Sequence, residues 1–417
     1  MIVIPFIYFL VLFTYFAMRQ KKWNMDLAAT MILVIISLNA IFIDVYDIYG
    51  DYGINDNNIT LPTLILFCIQ WTLVLIPIHL LSNIPLQQHM AIKEKALYVF
   101  FVLMTLSSVL MIYNQASDIQ TALVMDMAEV RQEHYQELHE GGSGESNYLM
   151  LPATILTSSP FPTLALFFWF YMKAFMKSSV FLRVGILSAS IIQAILGIVI
   201  AGRAAMIYWA FDFFMLFSYF YQYLSKEAKR SIILPVFILG GAATFLLITI
   251  TVSRFDAADM NRTPLESLYG YAGQHVNNFC TMFVHGKGDA MLIDRVFPLL
   301  SKLLTKKSFD LAGHYDLVSA HVSGNVRVNV FDTFGGELYL DLGWFGYVGF
   351  FMLLMVLIIY IKSKWKVLEF HNVFIFIIVV VFFTKGLFAW PFVYHYTTYA
   401  LLMFLLCRYF FKYVFKI

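Results

Sequence analysis

Charge is scarce in this sequence. Only 13% of the 417 residues are Asp, Glu, Lys or Arg, about half the share that a soluble domain presents to water, so a single soluble domain is excluded. A hydrophobic content of 60% equally excludes a disordered chain. The net charge of +2 supplies no field for a nucleic-acid partner. Three cysteines, two of them (Cys68 and Cys407) inside apolar runs, do not make a disulfide framework. The chain also lacks a Walker A sequence, a Gly-rich dinucleotide fingerprint and any D-x-D pair, which argues against a cytoplasmic nucleotide site.

Apolar runs dominate instead. A helix crosses the bilayer core with about 20 residues, and eleven runs qualify: approximately 2–18, 27–45, 61–82, 96–114, 161–178, 184–201, 204–224, 232–252, 338–361, 372–390 and 394–411. The expected fold is an all-α polytopic membrane protein, with residues 1–417 as one integral membrane domain. The first run is followed directly by Arg19, Gln20, Lys21 and Lys22, without a small-residue cleavage site, and reads as a retained helix. Seventeen of the 28 basic residues fall in one alternating set of short segments. That set is therefore cytoplasmic, which places the amino terminus outside and the carboxyl terminus inside.

The outside face holds three longer segments. Residues 46–60 carry Asp47, Asp51 and Asp56. Residues 115–160 begin with a stripe of Ile119, Leu123, Met127 and Val130 at helical spacing, predicting an amphipathic surface helix. Residues 253–334 form the largest, 82 residues long, and long loops of this kind are usually functional. It contains Arg254, Arg262, Arg295 and Arg327 with four histidines, and opens SRFDAADMNRTPLESLYGYAGQHVNNF. Arginine forks suit phosphate and pyrophosphate, while aromatics and amides suit sugars.

Several single residues carry two readings. Arg203, between two apolar runs, is either an interfacial anchor or a fixed cation where a lipid-linked phosphate would lie. Glu337 and Asp341, four apart at the mouth of an apolar helix, share one face. They either complement the helix dipole or act on an acceptor hydroxyl. Asp212, in mid-helix, reads as a bundle contact, and Lys385 as a counter-charge to an acid or a ligand phosphate.

Three segments together resemble the O-antigen polymerase (Wzy-type) family, which joins oligosaccharide repeat units in bacterial surface polysaccharide synthesis. They are AGRAAM around Arg203, the SRF start of the long segment with YGYAGQHVNNF, and VNVFDTFGGELYLDLGWFGYVGFF. The plan of about eleven spans with one dominant outer loop is similar too, as is the R-x10-G spacing of Arg262 and Gly273. The resemblance implies a metal-independent, GT-C-like glycosyltransferase of the bacterial inner membrane that needs no cofactor. Its donor and acceptor would be undecaprenyl-pyrophosphate-linked oligosaccharides, with a chain-length regulator as a further partner. By position, Arg203, Arg254 and Arg262 would hold pyrophosphate, with Arg327 and Lys385 as additional substrate contacts. Tyr271, His275 and Asn278 would line the sugar site, and the candidate catalytic groups are Glu337, Asp341 and His275. An O-antigen ligase, or more distantly a lipid-linked oligosaccharide flippase, is the competing expectation.

Overall fold

The computed structural model describes residues 1–20, 22–46, 59–86, 94–117, 120, 150–199, 204–235, 241, 263–286, 296–305, 322, 333–393 and 395–413. Among them the chain is helical and forms no extended strand. In chain order the helices are α1 (Val3–Arg19), α2 (Met25–Val45), α3 (Leu61–Asn83), α4 (Glu94–Asn114), α5 (Leu151–Thr157), α6 (Phe161–Phe175), α7 (Val180–Val199), α8 (Ala204–Phe220), α9 (Pro264–His285), α10 (Pro298–Thr305), α11 (Thr333–Lys364), α12 (Phe370–Gly386) and α13 (His395–Tyr413). Residues 226–235 are helical as well.

Five of these helices have spans long and apolar enough to cross a membrane: Met25–Val45, Leu61–Asn83, Lys95–Asn114, Val180–Gly197 and Thr333–Lys364. A sixth follows if α5 and α6, bent by 50° at their junction, count as one. α1, α8 and α12 are apolar but shorter. The apolar run at 232–252 lies mostly outside the described residues. Beyond residue 343, α11 exposes Phe345, Met352, Leu353, Val356 and Ile359, which is the surface a lipid-facing helix presents. The chain is thus a multi-pass membrane protein by architecture.

Local chemistry sets the helix ends. The Asn24 side chain accepts from Leu27 N at 3.2 Å, and Asp26 lies in the first turn of α2, so both complement the exposed N–H groups there. Thr60 and Thr63 form a reciprocal cap on α3. The S-S-P-F-P sequence stops α5 and starts α6, because proline supplies no N–H and is best accommodated in the first helical turn. Residues 151–157, expected within the outer segment 115–160, are therefore helical and continue toward α6 through a bend.

The chain divides into two compact units. The first comprises Met1–Pro85, Leu265–Val367 and Val379–Thr398; the second comprises Leu86–Pro264, Leu368–Ile378 and Tyr399–Ile417. In the first, α1, α2 and α3 pack on one another, and Asp26, 1% exposed, accepts from His79 Nδ1 at 2.9 Å and from Gln20. In the second, residues 161–172 of α6 are buried on every side. Phe167 packs edge-on to Phe220 and Phe376, and Phe374 edge-on to Phe404. Gly185 leaves room for the Phe101 ring, which a methyl group would strike at 2.0 Å.

Candidate functional site

Two segments of the first unit are buried all round and yet polar. One is residues 273–282 of α9, GQHVNNFCTM, in which Gln274, His275, Asn277, Asn278 and Thr281 are each less than 5% exposed. The other is residues 333–341 of α11, where Thr333, Glu337 and Asp341 are at most 1% exposed. Buried polar groups are stable only with partners, so their partners define the site.

α9 belongs to the 253–334 segment, but it does not lie outside the bundle. Tyr269 stacks on Phe42 and Tyr46 of α2, with ring centroids 4.5 and 5.7 Å apart. A Cβ at Gly273 would fall 2.4 Å from the Asn39 backbone carbon and 2.5 Å from Ala40 N, so the two backbones touch. Further along, Phe279 packs on Phe67 of α3 at 5.4 Å, and Phe283 stacks on Tyr339 of α11 at 4.3 Å. Asn39 is six residues from the end of α2, about 9 Å along its axis. The polar helix is therefore inserted between span helices.

α11 begins with strain. Thr333 holds φ at 66°, a region that β-branched residues rarely occupy. Its N–H donates to the Phe388 carbonyl at 3.3 Å, and its hydroxyl accepts from Gln70 Nε2 at 3.3 Å. Gln70 also accepts from the Tyr347 hydroxyl at 3.1 Å. Gly335 is required beside it, since a Cβ would lie 1.8 Å from Gln70 Oε1. Gly343, at φ 62°, breaks the helix direction and separates the buried turns from the lipid-facing part.

The turn after α12 joins the candidate residues. Phe388 N donates to the Lys385 carbonyl at 2.9 Å, and the Phe388 ring meets the His275 imidazole edge-to-face at 4.6 Å. Two residues on, Trp390 N donates to Glu337 Oε2 at 2.7 Å. One short turn thus contacts α9 through His275 and α11 through Thr333 and Glu337. Asp341, one turn beyond Glu337 on the same helix, accepts from Val296 N at 2.8 Å. Each carboxylate therefore fastens a different loop segment to α11.

The sequence-predicted residues divide as follows. His275, Asn278, Glu337 and Asp341 are buried, Tyr271 and Lys385 are partly exposed, and all six belong to this unit. Arg203, Arg254, Arg262 and Arg327 lie outside the described residues. Asn278 Nδ2 is 3.5 Å from Gln274 Oε1, and Gln274 Nε2 donates to the Tyr271 carbonyl at 3.2 Å, so the amides follow the helix axis. Burial pushes the His275 imidazole down to about 3. It is neutral at ordinary pH and acts as a hydrogen-bonding group rather than a cation. Among the described residues no three His, Cys, Asp or Glu side chains gather as a metal ligand set.

Sequence reasoning missed Gln70, Thr333, Phe388 and Asn277. A lone amide in an apolar run was the available signal for Gln70. The Asn277 amide is fully buried, and neither its oxygen nor its nitrogen has a hydrogen-bond partner among the described residues.

No protein-family model matches the chain, and neither does any curated protein or solved structure compared with it.

Proposed function

We propose that the chain polymerises lipid-linked oligosaccharide repeat units for a bacterial surface polysaccharide, as a metal-independent glycosyltransferase of the cytoplasmic membrane. In this reading the chain crosses about eleven times in a GT-C-like arrangement, with its amino terminus outside, and transfers glycan between undecaprenyl-pyrophosphate carriers at the outer leaflet. The observation that carries it is α9. A segment expected to be an outer loop supplies a buried polar helix, joined through the 385–390 turn to a helix bearing two buried carboxylates.

The chemistry is a substitution at the anomeric carbon of the donor sugar. The acceptor hydroxyl oxygen bonds to that carbon, the bond to the pyrophosphate oxygen breaks, and the hydroxyl proton passes to a carboxylate. Undecaprenyl pyrophosphate leaves. Departure of an activated leaving group chiefly needs cations, a role assigned to Arg203 and Arg254 with Arg262, Arg327 and Lys385 in support. Glu337 or Asp341 takes the proton, each oriented by the backbone N–H that it accepts. Tyr271, His275 and Asn278 line the sugar site. Asn277 extends this set, since a sugar hydroxyl both donates and accepts and so satisfies an amide.

Incubating the purified protein with a lipid-linked repeat unit tests the proposal. A ladder of longer lipid-linked glycans supports it. Transfer only when a lipid A core or other foreign acceptor is added identifies a ligase. Movement of unaltered donor across a vesicle identifies a flippase.

A further inference from the structure

The second unit gathers basic side chains where α6 stops, α7 starts and the helical residues 226–235 begin. Lys173 is two residues from the end of α6, and Arg183 is the fourth residue of α7. The Lys173 ammonium lies 5.6 Å from the Trp169 ring centroid and donates to Ser231 Oγ at 3.5 Å. It therefore ties α6 to the segment that carries Lys226, Lys229 and Arg230. Arg183 sits close enough to Lys173 for the two cations to repel each other. Both are partly buried, so water and salt screen that repulsion incompletely.

The surrounding chain supplies no counter-charge. Between residues 161 and 235 the acids are Asp212 and Glu227. Asp212 is buried in mid-helix and accepts from Thr163. Glu227 hydrogen-bonds to its own backbone N–H and to the Ser225 side chain. Among the described residues neither Lys173 nor Arg183 forms an ion pair. Arg183 also lies in the first turn of α7, which holds no acidic residue, and there the helix dipole adds to positive charge instead of offsetting it.

Orientation of the chain requires basic residues in its loops, and the exposed Lys177 and Lys226 serve it. It does not require two partly buried cations within repulsive range of each other. Apolar surface adjoins them: Phe181 and Val184, on either side of Arg183 in α7, are 70% and 57% exposed. Cations with exposed apolar side chains beside them match a molecule with an anionic head and acyl chains.

We propose that this end of the second unit binds an anionic phospholipid, with the headgroup phosphate between Lys173 and Arg183 and the acyl chains against Phe181 and Val184. The Arg183 fork suits two phosphate oxygens, and Lys173 adds a point charge. The proposal does not depend on the glycosyl-transfer reading.

The test is thermal unfolding of the purified full chain in phosphatidylcholine nanodiscs into which phosphatidylglycerol is titrated. Phosphatidylglycerol raises the midpoint saturably, as expected for a ligand of the folded state. Arg183→Gln weakens its apparent affinity about fivefold, the share of one basic residue at a lipid surface. Lys173→Gln does the same and carries the test should the Arg183 variant fail to fold. Lys364→Gln, which removes an exposed lysine at the end of α11 in the first unit, leaves the response unchanged. Equal midpoints with and without phosphatidylglycerol overturn the proposal, as does a response that survives both Arg183→Gln and Lys173→Gln undiminished. A loss in Lys364→Gln as large as in Arg183→Gln overturns it in favour of bulk charge. An equal gain from inorganic phosphate in phosphatidylcholine alone overturns it in favour of a free anion.

Discussion

Trp390 donates its backbone N–H to Glu337 Oε2 at 2.7 Å, fastening the turn after α12 to the buried start of α11. Because the carboxylate both holds the turn and is assigned to the acceptor hydroxyl, two substitutions separate the roles. Glu337→Ala leaves the Trp390 N–H without its acceptor and lowers stability by about 1–3 kcal/mol. Glu337→Gln keeps an acceptor, so its unfolding midpoint stays near wild type while turnover falls more than donor affinity. Full turnover in the Gln variant would reduce Glu337 to a tether.

Gly273 is where α9 meets α2 backbone to backbone, and small residues permit such contacts between membrane helices. Gly273→Ala places a carbon 2.4 Å from the Asn39 backbone, and backbone cannot move aside as a flexible side chain does. A stability loss of about 1–3 kcal/mol, typical of overpacking, is expected in thermal unfolding. Gly349, whose Cβ would meet nothing within 4 Å, is the control, and Gly349→Ala leaves the midpoint unchanged.

His275 links stability to pH. Its ordinary value of 6.5 is lowered to about 3 by burial, so between these values the unfolded chain binds a proton that the folded chain does not. The contribution of the neutral imidazole is fully present above pH 6.5 and is lost as pH falls, by about 1.4 kcal/mol per unit. Unfolding midpoints of wild type and His275→Asn should converge on acidification from neutral pH. A difference that stays constant over that range contradicts a buried neutral histidine.

Arg203→Ala and Arg254→Ala should each abolish or severely reduce glycan extension while leaving membrane insertion intact. Extension assays on membranes with matched protein levels check this. Polymer of normal length in both variants removes these residues from the pyrophosphate site.

The helical membrane architecture was legible from hydropathy, because apolar runs of span length have few other stable forms. The four-residue spacing of Glu337 and Asp341 likewise placed both acids on one helix. Other features were hidden for definite reasons. α9 reads as a loop because Gln274, His275, Asn277 and Asn278 dilute its apolar residues, although Val276, Phe279, Cys280 and Phe283 follow helical spacing. The bend between α5 and α6 was present as Pro160 and Pro162 but lay at the edge of an apolar run. The positive φ of Thr333 has no local signal at all, since it is imposed by Gln70 and Phe388, both distant in sequence.

The most direct test of the glycosyltransferase account is a structure of the full chain with an undecaprenyl-pyrophosphate-linked oligosaccharide bound. The account predicts the pyrophosphate held by Arg203 and Arg254, with the first sugar against the polar face of α9 and within reach of Glu337 or Asp341. A pyrophosphate bound elsewhere, with no contact to either arginine and its sugar remote from α9, would contradict it.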